Sequence, residues 1–77
     1  MTKLYKYTDN SAHNLSDLPP QAAAIVEEIK SKGVIRRDDL LDSLKEPFKK
    51  YVQSPYHVFS FYRGRLIREG FMIEITA

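Results

Sequence analysis

Seventy-seven residues are enough for one domain, and 43% hydrophobic with 29% charged content is that of an ordinary globular chain, so the whole of 1–77 is expected to fold as one unit. The net charge is +2, from twelve basic and ten acidic residues, and the absence of cysteine excludes disulfides and thiolate metal sites, in keeping with a cytoplasmic setting. Apolar runs fall well short of the roughly 18 residues of a membrane span, and the first residues lack a signal-peptide core, so no membrane partner is expected.

Leu4 to Thr8 alternate, with Leu4 and Lys6 on one side and Tyr5 and Tyr7 on the other, which predicts a short strand. Tyr5 and Tyr7 are read most simply as its core and edge residues. Asp9 to Asp17 is polar and reads as a surface loop, so 1–17 forms a strand and loop ahead of a core over 18–76. Pro19 and Pro20 suit a helix start, where their missing N–H groups would be unpaired anyway. Ala22, Ile25, Val26 and Ile29 mark the apolar face of that helix. It ends near Lys32, with Gly33 as the left-handed residue that closes it.

Val34 and Ile35 form a short extended piece. A second helix follows, with Asp38 and Asp39 in its first turn, where negative charge suits the helix dipole. Leu40, Leu41 and Leu44 are its core face, and Pro47 stops it near Lys45 or Glu46. Phe48, Tyr51 and Val52 suggest one further turn. The third helix has the plainest start, with Ser54 as N-cap and Pro55 at the first helical position, and runs to Glu69 before Gly70. A terminal strand follows, alternating Phe71, Ile73 and Ile75 against Met72, Glu74 and Thr76.

Charge is unevenly distributed. Between Pro47 and Arg68 there is no acid, while Lys49, Lys50, His57, Arg63, Arg65 and Arg68 share the stretch with six aromatics. The acids gather instead at Glu27-Glu28 and at Asp38, Asp39 and Asp42. A basic stretch interleaved with aromatics points mildly to nucleic acid. On a helical wheel Phe59, Tyr62 and Leu66 cluster as the core face of the third helix, with Val58 at its margin. His57, Ser60, Phe61, Gly64 and Arg68 lie opposite, flanked by Arg65 and Ile67.

The first helix, then Gly33-Val34-Ile35, then Arg36-Arg37-Asp38-Asp39-Leu40-Leu41-Asp42-Ser43-Leu44, resembles the first two helices of a winged helix-turn-helix domain. Leu66-Ile67-Arg68-Glu69-Gly70-Phe71 is similar to the end of that family's recognition helix as it enters the first wing strand. The resemblance covers residues 19 to 76. It implies an α+β domain of three main helices with a short antiparallel sheet, built from the N-terminal strand, residues 34–35 and the C-terminal strand. Three features depart from the family pattern. Arg36 stands where the second helix usually opens on Ser or Thr, the connection from Leu44 to Ser54 is long, and no second wing strand follows Thr76. The N-terminal strand is therefore a candidate partner for the last one, and a wing is short or absent.

The resemblance implies double-stranded DNA as partner. Tyr56, His57 and Ser60 would reach base edges, with Phe61 and Gly64 beside them. Arg63, Arg65 and Arg68 would hold phosphates or guanine. Lys49 and Lys50 are candidates to clamp the backbone, and Arg36 and Arg37 to meet phosphate at the start of the second helix. Each has a plainer alternative. Arg65 and Glu69 are spaced to pair with each other, Lys49-Lys50 suits a solvated turn, and His57 is structural or simply exposed. An exposed Phe61 fits a dimer or protein interface as well as a base contact.

No Gly-rich phosphate loop, Cys–His pair or zinc-protease motif is present, and the two histidines sit in unrelated contexts, so neither an enzyme, a metal nor a cofactor is expected. The expected function is a small, homodimeric transcription regulator, such as a repressor, acting by occupancy in the cytoplasm or on the nucleoid, as stand-alone phage and plasmid regulators do. The alternative is a winged-helix module that docks on a larger complex such as RNA polymerase or a host enzyme. RNA binding fits less well, because the aromatics fall mostly on the core side.

Overall fold

A computed structural model describes residues 2–8, 15–49 and 54–76. In chain order the elements are β1 (Lys3–Tyr7), a single 3-10 turn (Leu15–Asp17), α1 (Pro20–Lys32), β2 (Val34–Arg36), α2 (Arg37–Ser43), α3 (Pro55–Arg68) and β3 (Met72–Thr76). The result is a small α+β domain with three helices packed against a three-stranded antiparallel sheet.

Local chemistry explains most boundaries. Pro20 opens α1 at a position that needs no N–H, and Gly33 closes it at φ 78° while its N–H bonds the Ile29 carbonyl at 2.8 Å. Open space surrounds the missing Cβ of Gly33, so backbone conformation alone calls for glycine there. Gly70, at φ 83°, does the same work between α3 and β3. Arg36 provides no side-chain cap to α2, and the helix ends at Ser43, two to three residues earlier than its sequence suggests. Turns through Leu44 to Lys49 then carry the chain past Pro47, and Phe48 donates its N–H to the Leu44 carbonyl at 3.0 Å while its ring is buried. Tyr51 and Val52, expected to continue that turn, and residues 9–14 of the polar loop lie outside the described residues.

The strand order is β2-β1-β3, so the N-terminal strand is the central one. Tyr5 lies between Ile35 of β2 and Glu74 of β3, Leu4 between Arg36 and Ile75, and Lys6 between Val34 and Ile73. Because alternate residues face opposite sides, Tyr5, Tyr7, Ile35, Met72 and Glu74 point toward the helices. Leu4, Lys6, Val34, Arg36, Ile73 and Ile75 point away from them. Thr8 fastens the end of β1 to the turn after α3, through its N–H to the Phe71 carbonyl (3.1 Å) and its hydroxyl to the Gly70 carbonyl (2.6 Å).

One core unites the layers. Ala22, Ile25, Val26 and Ile29 of α1, Leu40 and Leu44 around α2, and Val58, Phe59 and Leu66 of α3 are all buried with Tyr5 and Met72. Leu41 and Tyr62 only pack at its rim. The ring of Phe59 meets that of Tyr5 edge-on at 5.1 Å, which fixes α3 over the central strand. Full burial of such a ring stabilises the fold by roughly 1.5–3 kcal/mol, so Phe59 and Tyr5 anchor α3 in place.

Candidate nucleic-acid interface on the third helix

Ser54 starts α3 cleanly: its Oγ accepts the His57 backbone N–H at 3.3 Å and lies 3.0 Å from His57 Nδ1. Fourteen residues of helix follow, about 21 Å long. With Val58, Phe59 and Leu66 buried, the opposite side of the helix stands clear of the core. His57, Phe61, Gly64 and Arg68 recur there at helical spacing and are all exposed, with Ser60 exposed beside them. Phe61 is 78% exposed, far more than Tyr56 (53%), Val34 (46%) or Ile73 (43%). Its ring makes a T-shaped contact with that of Tyr62, with centroids 4.9 Å apart. Between α3 and the start of α1 a groove of about 260 Å3, lined by Gln21, His57, Val58, Phe61 and Tyr62, opens beside it.

The arginines of the helix divide into three kinds. Arg63 turns inward, with its Nη1 2.8 Å from Glu74 Oε2, and is therefore removed from the phosphate-binding set the sequence suggested. Arg65 pairs with Glu69 at 2.6 Å, four residues on, as its spacing predicts, and is half-buried. Arg68 makes no ion pair among the described residues, and its guanidinium folds back so that Nη1 lies 3.8 Å from where a Cβ on Gly64 would sit.

Arg37 joins this end of the molecule. Its guanidinium lies 5.5 Å from the centre of the Tyr56 ring, a cation–π contact that ties the start of α2 to the start of α3. Arg36 does not join it. As the neighbour of Leu4 in the sheet, it sits on the face turned away from the helices. Lys49 is exposed in the turn after α2, and Lys50 lies outside the described residues. Of the twelve candidate residues, Tyr56, His57, Ser60, Phe61, Gly64, Arg65, Arg68 and Arg37 are therefore carried on α3 or in contact with its start, while Arg63 is engaged by Glu74 and Arg36 is separated from them.

The polar cluster beneath α3 was not foreseen from the sequence. Glu74 accepts from the Tyr5 hydroxyl at 2.7 Å and from Arg63 at 2.8 Å, and lies 3.4 Å from Lys3 Nζ. Burial, reinforced by the hydrogen bond to Glu74, pushes the Tyr5 phenol up to about 12. The Tyr5 hydroxyl, followed by Arg63 and Lys3, holds the Glu74 carboxyl below its usual range, and Glu74 in turn raises Arg63. The available signal was the period of two in β3, which places Glu74 on the same face as buried Met72 and so demands a partner for it.

Among the described residues no helix is long and apolar enough to cross a membrane, and no group of three or more His, Asp or Glu side chains could hold a metal ion. No protein-family model, curated protein or solved structure matches this chain.

Proposed function

We propose that this domain binds double-stranded DNA through the outward strip of α3, as a winged-helix-like regulator that acts by occupying its site. The carrying observation is that strip itself: His57, Ser60, Phe61, Gly64 and Arg68 face solvent together on a capped helix whose other side is locked to Tyr5 and α1. A rigid helix presenting hydrogen-bonding groups and an arginine with no ion pair among the described residues has the form that major-groove docking needs. Arg37, held over Tyr56, adds a positive charge beside the N-terminal turn of α3, where base-contacting side chains sit in helix-turn-helix proteins. The order helix, strand, helix, helix, strand from α1 to β3 supports the winged-helix comparison. So does the sheet, in which β1 pairs with both β2 and β3.

The test is a titration of random-sequence duplex at about 50 and 200 mM salt with the intact protein, Arg68→Ala and Arg37→Ala. Binding that falls steeply with salt is expected, and each variant should flatten the salt slope by about one if its arginine holds one phosphate. Absence of binding at the lower salt overturns the proposal. One observation favours a second reading, docking on a protein: Phe61 is mostly bare and borders the groove against Gln21. In that case Phe61→Ala would remove a partner's binding, and the arginine variants would not.

A further inference from the structure

We infer that Phe61 reads the 5-methyl group of a pyrimidine in the major groove, a specificity role that rests on the DNA-binding proposal above. A phenyl ring left 78% exposed on a small domain is the one strongly apolar feature of a strip otherwise made of His57, Ser60, Gly64 and Arg68. Along the helix axis it stands about 6 Å from His57 and about 10 Å from Arg68, near the middle of the strip. A ring at that point on a docked helix meets base edges rather than the phosphate rails. Phenylalanine has no donor or acceptor, so it cannot take part in the hydrogen-bond code of the bases. The apolar group that the major-groove edge offers it is the methyl on C5, carried by thymine and by 5-methylcytosine.

Two local features suit the ring to that contact. The ring of Tyr62, itself only half-buried, meets that of Phe61 at 86° between ring planes and limits the directions the Phe61 ring can take. One turn further on, Gly64 has no side chain, so nothing at that position stands between the strip and an approaching base pair. The nearest atom to a Cβ there would be the Arg68 guanidinium, at 3.8 Å, so its donors lie over Gly64, one turn along the helix from Phe61. The contact would thus be apolar at Phe61 and hydrogen-bonded at Arg68 on one side and His57 on the other.

The experiment compares four short duplexes that differ pairwise only in that methyl: alternating A–T against A–deoxyuridine, and alternating G–C against G–5-methylcytosine. Each is titrated at about 50 mM salt with the intact protein, with Phe61→Ala and with Arg68→Ala. Because Phe61 is exposed, the alanine variant is expected to melt with the wild type, which a thermal scan verifies. The methylated member of a pair should bind about fourfold tighter for each methyl covered, and the ratio should fall to one in Phe61→Ala. A preference confined to the A–T pair identifies thymine as the source, and one confined to the G–C pair identifies 5-methylcytosine. Equal binding within both pairs overturns the inference, as does a preference that survives in Phe61→Ala. In either case weakened binding by Arg68→Ala leaves the DNA proposal standing. Failure to bind any of the four duplexes removes both.

Discussion

Loss of the Glu74 carboxylate should loosen three elements at once, because it ties β3 to the central strand through Tyr5 and to α3 through Arg63. The hydrogen bond from the buried Tyr5 to a charged acceptor is in the class that contributes about 1.5–3 kcal/mol. The Arg63 pair contributes less, about 0.5 kcal/mol, because the guanidinium is 42% exposed and screened. Tyr5→Phe keeps the edge contact with Phe59 and removes only the hydroxyl, so its cost is about 1.5 kcal/mol. Glu74→Ala also strands that hydroxyl without an acceptor and releases Arg63, for about 2.5 kcal/mol. The double variant has no hydroxyl to strand, so it should cost only about 2 kcal/mol, leaving a coupling of about 2 kcal/mol. Urea unfolding of the four proteins measures each term, and Tyr5→Phe alone should lower Tm by roughly 6–12 °C in a domain of this size. Single-variant costs that simply add, to within about 0.5 kcal/mol, would refute the reasoning.

Two further outcomes follow from the same geometry. The neutral phenol of Tyr5 is favoured in the fold, so its contribution is complete below the unfolded value near 10 and is lost as pH rises through about 12. Melting temperature should therefore drop across that window in the wild type and much less in Tyr5→Phe, and parallel curves would discard Tyr5 as the cause. Gly64 lies in mid-helix with only the Arg68 guanidinium near its missing Cβ, at an ordinary 3.8 Å. Gly64→Ala should accordingly stabilise by about 0.5–1 kcal/mol in a denaturant titration, and a loss of stability would mean that the space is not free. If close approach to DNA uses that gap, the same variant should bind duplex more weakly despite being more stable.

What could be read from the sequence was what neighbouring residues decide among themselves. Pro20, Ser54 with Pro55, Gly33 and Gly70 act within a turn of where they stand, and each marks a real boundary. The apolar spacing of Ala22, Ile25, Val26 and Ile29 likewise selects the buried face of α1 without reference to other elements. The outward placement of His57, Ser60, Phe61, Gly64 and Arg68 follows from the same periodicity, with the wheel inverted. Long-range pairing was less visible. Tyr5 has its partners about thirty and seventy residues away, at Ile35 and Glu74, and nothing near β1 in the chain says that both its edges are taken. Arg63 looked like a phosphate ligand because the acid that claims it is on another element. By contrast Arg65 and Glu69, four apart on one helix, were readable as a pair.

The central position of β1 also governs the order in which the protein can assemble. Of the three strands, the one synthesised first is the one both others need, yet its second partner, β3, follows only after all three helices. While a ribosome is still translating α3, a β1–β2 pair has one open edge and Tyr5 has neither Phe59 above it nor Glu74 beside it. Closing the β1–β3 ladder then joins Lys3 to Thr76, the kind of non-local contact that slows folding relative to helical domains of similar size. The helices can form early, but the platform that holds α3 in its working orientation exists only after Thr76 has found Lys3. For a nascent chain, the proposed DNA-binding surface would therefore become competent only after β3 has paired.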